Sequence, residues 1–279
     1  MADVTLAALV LVFVAGLITA LATGLGAFPF FVLEEVSDRL NVALWGLASG
    51  IMLAASLFGL VREGLAEAER GPQLLPLGQY SGEVAVGLGL LAGVLLVVVA
   101  HEIVEGSEVN PRQYEEADFR KLVLILGILT VHSFPEGVAI GVAFADLNIE
   151  GVALFGFTVP LLAVFMTVAI SIHNIPEGVA ISIPLRAMGV SNWRMVWWSV
   201  FSSLPQPIGA VLAFYFVRLA RAFLPVGFGF AAGAMIYLVL TEFVPEALEE
   251  GADLPGDGYR ELVGGILVGV VVMVPLVLV

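Results

Sequence analysis

A histidine and a glutamate stand four residues apart, twice, inside stretches that are otherwise apolar. The first copy reads Val131-His132-Ser133-Phe134-Pro135-Glu136-Gly137-Val138-Ala139-Ile140, the second Ile172-His173-Asn174-Ile175-Pro176-Glu177-Gly178-Val179-Ala180-Ile181. Residues four apart share one face of a helix, so each copy points an imidazole and a carboxylate the same way. Ionisable groups are costly at membrane depth and mark functional sites there. Two imidazoles and two carboxylates without a thiolate suit zinc or another divalent first-row ion, and the same set could hold iron or manganese. One such copy alone would read as a histidine bonded to a carbonyl or as a structural ion pair. Two in tandem favour His132, Glu136, His173 and Glu177 as ligands facing one another across adjacent helices.

The neighbouring residues fit a binding site. Pro135 and Pro176 lack an N–H, so the carbonyls of Val131 and Ile172 lose their helical partners and a kink is expected at each. Loosened backbone at membrane depth is tolerated only against protein or water, which is why such breaks line binding sites. Gly137 and Gly178 leave room for a neighbouring helix or an ion. Asn174 could ligate, orient a ligand or bond a neighbouring helix. Gln206, in Ser202-Ser203-Leu204-Pro205-Gln206-Pro207, could supply an oxygen or satisfy backbone near a kink. Met52 reads from the residues alone as core. Glu242 and Glu246 could guide cations at a helix end or sit there solvated, and His101 and Glu102 could form an exit station or mark an interface.

The elements that must position these groups are membrane helices. Of 279 residues, 60% are hydrophobic and 13% charged, and the mean hydropathy is +1.04. A soluble chain is about 45–50% apolar. The apolar runs reach the roughly 20 residues a helix needs to cross a bilayer and lack the alternation of barrel strands. An all-α integral membrane protein is therefore expected, a single unit over 1–279, with eight transmembrane helices near 5–28, 42–61, 84–101, 122–145, 152–183, 195–218, 226–246 and 261–278. The gaps at 62–83 and 102–121 read as loops. The first run lacks a basic n-region and a clear cleavage site, so it is taken as a retained span.

An even number of spans places both termini on one side. With the termini outside, seven Lys/Arg fall in cytoplasmic loops against four outside, and loop 102–121 is cytoplasmic. A net charge of −14 makes nucleic acid a poor partner. There is no cysteine, so any metal site is built from His, carboxylate, amide, Met or water. Gly89-x-x-x-Gly93 and Gly265-x-x-x-Gly269 allow close helix approach, within the chain or between subunits.

At the two His-x-x-Pro-Glu-Gly copies the chain resembles the ZIP (Zrt/Irt-like) family of divalent metal transporters. Gly50-Ile51-Met52-Leu53-Ala54-Ala55 in the second span and Met235-Ile236-Tyr237 leading to Pro245-Glu246 in the seventh extend the likeness over nearly the whole chain. The resemblance implies a 3+2+3 bundle, in which spans one to three and six to eight form an inverted pair around spans four and five. It also implies an elevator-like movement of spans one, four, five and six against the others. It assigns His132, Glu136 and Glu177 as primary ligands, with His173 alongside and Met52 as a softer contact. Some members hold a second metal through an Asn and a Glu where this chain has Ser133 and Gln206, so one transported-metal site is expected. A homodimer is implied by the resemblance alone.

The function expected is uptake of a divalent metal, Zn2+ before Fe2+, Mn2+ or Cd2+, across the cell membrane into the cytoplasm. The metal is substrate, no cofactor is expected, and the chain is not expected to be an enzyme. No phosphate-cradling Gly-x-x-x-x-Gly-Lys-Ser/Thr motif is present. Two other readings share these ligands: an intramembrane metal-dependent hydrolase, which would need a general base beyond the ligands, and a divalent cation channel.

Overall fold

Capping side chains set where the first helices begin. Thr5 Oγ1 accepts the Ala8 N–H at 3.2 Å to open α1 (Leu6–Leu25), and Ser37 Oγ accepts the Leu40 N–H at 3.4 Å to open α2 (Asp38–Ala54). A computed structural model describes residues 4–33, 36–72, 74, 80–105, 127, 132–149 and 151–274. After α2 come α3 (Arg62–Arg70), α4 (Ser81–Glu105) and α5, described over 132–143. A hairpin of β1 (Val152–Leu154) and β2 (Phe157–Val159) leads into α6 (Leu161–Ala187). The chain continues through α7 (Asn192–Ser202), α8 (Pro205–Leu219), α9 (Leu224–Leu238), α10 (Val244–Glu250) and α11 (Tyr259–Val272). Wider π turns, Ala55–Val61 and Val239–Phe243, join α2 to α3 and α9 to α10 without a break.

This is an all-α membrane protein. Six helical stretches among the described residues are long and apolar enough to cross a bilayer: Leu6–Leu25, Asp38–Arg70, Ser81–Ile103, Leu161–Arg186, Asn192–Leu219 and Arg221–Glu250. The expected spans 122–145 and 261–278 lie partly outside the described residues, within which α5 and α11 are helical.

Three boundaries differ from the hydropathy reading. The fifth helix starts at Leu161 rather than near Val152, because the chain turns back at Phe155 (φ 51) and Gly156 (φ 81) and pairs Val152 with Val159. Asn148 (φ 65) holds that hairpin, its Oδ1 accepting the Thr158 N–H at 3.1 Å. The segment after 61 is helical to Arg70, where Glu67 pairs with Arg221 at 2.6 Å and Arg221 also reaches Asp146 at 2.7 Å. Helix α4 extends to Glu105, and 106–121 of the expected cytoplasmic loop lie outside the described residues.

The bundle pairs α2 with α11, α4 with α9 and α1 with α8. Glycines make the first two pairings close. A Cβ on Gly46 or Gly50 would strike the backbone of Leu262 or Ile266, and one on Gly265 or Gly269 the backbone of Ala43 or Leu47. Gly229 and Gly233 meet Val86 and Leu90 in the same way, and Gly89 and Gly93 meet Val226 and Phe230. Exchanging α1 with α8, α2 with α9 and α4 with α11 carries the α2–α11 contact onto α9–α4. The same exchange brings the two π turns into correspondence, as an inverted repeat requires. Between the halves run α5 and α6, seated by matching glycines: Gly137 packs on the Gln206 backbone at the start of α8, and Gly178 on the Thr23 carbonyl of α1.

Candidate metal centre

Seating Gly137 and Gly178 against backbone fixes the residues that precede them. Glu136 and Glu177 are thereby brought to one point between α5 and α6. Glu136, His173 and Glu177 each offer a ligand atom within 4.8 Å of the others, and all three are buried. His173 Nε2 lies 3.3 Å from Glu136 Oε1 and 4.0 Å from Glu177 Oε1. Helix α6 continues through Pro176 to Ala187, so the bond lost at the Ile172 carbonyl does not end it.

Glu177 Oε1 is fully enclosed and has no hydrogen-bond partner among the described residues. A buried acceptor without a donor costs about 1–3 kcal/mol, more when charged. A cation set among the three residues would satisfy it, and one imidazole with two carboxylates is a donor set zinc accepts.

Behind the trio lies a second layer of polar groups with no exposure. Gln206 Nε2 donates to Glu136 Oε2 in a short hydrogen bond. Gln206 Oε1 accepts from Thr19 Oγ1 at 2.6 Å and from Asn174 Nδ2 at 3.2 Å, and Asn174 Nδ2 also donates to the Thr19 carbonyl at 2.8 Å. Thr23 Oγ1 and Ser203 Oγ meet at 2.7 Å on the same interface. Helices α1, α5, α6 and α8 are joined by these bonds.

His132 takes another direction. Its Nε2 sits 3.1 Å from His101 Nε2 on α4, and His101 Nδ1 lies 3.2 Å from Glu242 Oε1 in the π turn after α9. A proton on His101 Nδ1 facing the carboxylate leaves His101 Nε2 to accept from His132 Nε2–H. The buried His132 Nδ1, which has no partner among the described residues, then carries a lone pair.

A sequence profile described as ZIP zinc transporter matches residues 101–276, more than half the chain. The zinc transporter GufA of Myxococcus xanthus is 31% identical over 92% of this chain and 94% of its own length. The chain belongs to the ZIP family. A putative zinc transporter of Arabidopsis thaliana is 43% identical over 84% of this chain, which spans 34% of that relative's length. The zinc transporter ZIPB of Bordetella bronchiseptica is 35% identical over 82% of this chain and 70% of its own. ZIP proteins are transporters rather than enzymes.

Within this ZIP chain the structure gathers Glu136, His173 and Glu177 and directs His132 to His101. Gln206 and Asn174 stand behind the trio with amides engaged as above, and Asn174 Oδ1 is buried without a partner among the described residues. Met52 is fully buried in the main apolar cluster with Ile51 and Met235. Ser133 is buried, whereas Glu102 and Glu246 are exposed. Thr19 was not singled out from the sequence. Its signal was a pair of hydroxyls, Thr19 and Thr23, on one face of an apolar helix.

Proposed function

We propose that the chain carries a divalent metal ion, Zn2+ first, from outside to cytoplasm through a site formed by Glu136, His173 and Glu177. The observation that carries this reading is three ligand-capable side chains converging at full burial within a bundle of membrane helices. The zinc transport named for the bacterial relatives supports the choice of ion, and Fe2+, Mn2+ and Cd2+ are the competitors the same donors would accept. Two carboxylates balance a divalent cation, and mixed imidazole and carboxylate ligands bind without the retention of thiolates, so that loading and release are both open.

His132, beside His101 and Glu242, forms the next station toward the end of the bundle where α4 finishes. The excess of Lys/Arg in the loops at that end makes it cytoplasmic, with both termini outside a cell membrane. The hydrolase alternative needs a general base free of the metal, and both carboxylates of the trio are used as ligands.

Equilibrium zinc binding to the purified protein tests the site. One ion per chain is expected at the trio, lost in Glu136→Ala and in Glu177→Ala. Binding at wild-type affinity in both variants would overturn the assignment.

A further inference from the structure

The second polar layer has a direction, and the direction can be read from its end. The Thr19 main-chain carbonyl only accepts, so the Asn174 group 2.8 Å from it is the amide nitrogen. That nitrogen also faces Gln206, 3.2 Å away, so the Gln206 atom opposite it is the oxygen. The Gln206 nitrogen is thereby turned toward Glu136. A flipped amide would set oxygen against carboxylate and nitrogen against nitrogen, losing the contacts to Glu136 and Asn174 together. A backbone carbonyl on α1 therefore dictates, through two side chains, which atom meets the metal-facing carboxylate on α5.

We propose that Gln206 is a positioning residue that presents Glu136 to the metal, donating Nε2–H to Oε2 so that Oε1 stays turned toward His173 and the ion, with its orientation fixed by Thr19 and Asn174. The inference rests on the reading of Glu136 as a ligand. Gln206 acts as donor to the ligand rather than as an oxygen ligand itself, since its own oxygen is taken by Thr19 and Asn174. Its neutrality also matters: it holds the carboxylate without adding negative charge to a pair of acids that already balances a divalent ion. Residues that orient a ligating carboxylate affect metal affinity by about 10–100-fold.

The test is zinc affinity of the full-length protein in detergent, by competition with a chromogenic chelator, with thermal unfolding of the metal-free protein as a check on folding. Gln206→Met, similar in shape but without a donor, is expected to weaken zinc binding by about 10–100-fold while the metal-free unfolding profile stays cooperative. Thr19→Val is expected to weaken it less, Thr19→Ser to restore it, and the Thr19→Val/Gln206→Met double variant to match Gln206→Met, because Thr19 acts through Gln206. Should Gln206→Met fail to fold, Gln206→Asn keeps the amide but withdraws it from the carboxylate, and the same loss is expected. Unchanged affinity in a folded Gln206 variant, or a full additional loss from Thr19→Val in the double variant, would overturn the proposal. Glu136→Ala separates the two levels: zinc binding unaffected by it removes the site, whereas binding lost there but intact in the Gln206 variants removes only the role of Gln206.

Discussion

Three buried side chains with too few donors among them define the centre. Glu177 Oε1 has no partner among the described residues, and the two oxygens of Glu136 face His173 and Gln206, so the trio is set to receive positive charge. Protons compete for the same atoms, since imidazole and carboxylate must be deprotonated to ligate. Zinc affinity is therefore expected to fall as the medium is acidified, by up to about tenfold per pH unit for each proton displaced. Chelator competition at a series of pH values measures this, and pH-independent binding would contradict it. The four-residue spacing made His132 with Glu136 and His173 with Glu177 legible as two pairs, which include the trio. The turn of His132 toward His101 was not, because it depends on where α4 comes to lie beside α5. The role of Gln206 was also hidden, since a sequence offers an amide without saying which end faces the carboxylate.

The helices are spaced by glycines whose positions can be checked one at a time. Gly50 and Gly233 have no space for a Cβ, which would meet the backbone of Ile266 and Leu90. Among the described residues nothing lies within 4 Å of where a Cβ on Gly87 or Gly264 would stand. Gly50→Val and Gly233→Val are thus expected to lose about 1–3 kcal/mol or more through forced separation of the helices. Gly87→Ala and Gly264→Ala are expected to unfold like the unaltered protein. Thermal unfolding in detergent distinguishes the pairs, and equal effects at all four positions would show that the packing is wrongly drawn. The Gly-x-x-x-Gly spacings on α4 and α11 were visible in the sequence as close-approach motifs, but their partners were not. Gly229 and Gly233 on α9, and Gly46 and Gly50 on α2, carry the same spacing, and the pairings show that the two motifs of each pair face one another. The hairpin at 152–159 escaped hydropathy because its apolar residues, Val152, Leu154 and the exposed Phe155, resemble the start of a span.

Across the molecule, the exchange that relates α2–α11 to α9–α4 also relates the seats of α5 and α6. The proposed metal centre therefore lies where the two halves meet. Hydrogen bonds join α1, α5, α6 and α8 around the trio, whereas α2 with α11 and α4 with α9 are closed by glycine contacts of their own. This division is the one that the proposed carrier, a body moving the ion within a frame, would use. Apolar length and composition sufficed to read a membrane bundle, and the duplicated His/Glu spacing sufficed to place its chemistry on two central helices. The network behind the site joins residues from 19 to 206, too far apart in the chain for any local pattern to connect. Uptake of zinc into proteoliposomes bearing the purified protein bears on all of this at once. The wild type is expected to accumulate zinc saturably without nucleotide, and Glu136→Ala and Glu177→Ala to fall to the level of protein-free liposomes. Wild-type rates in both variants would contradict transport through this centre.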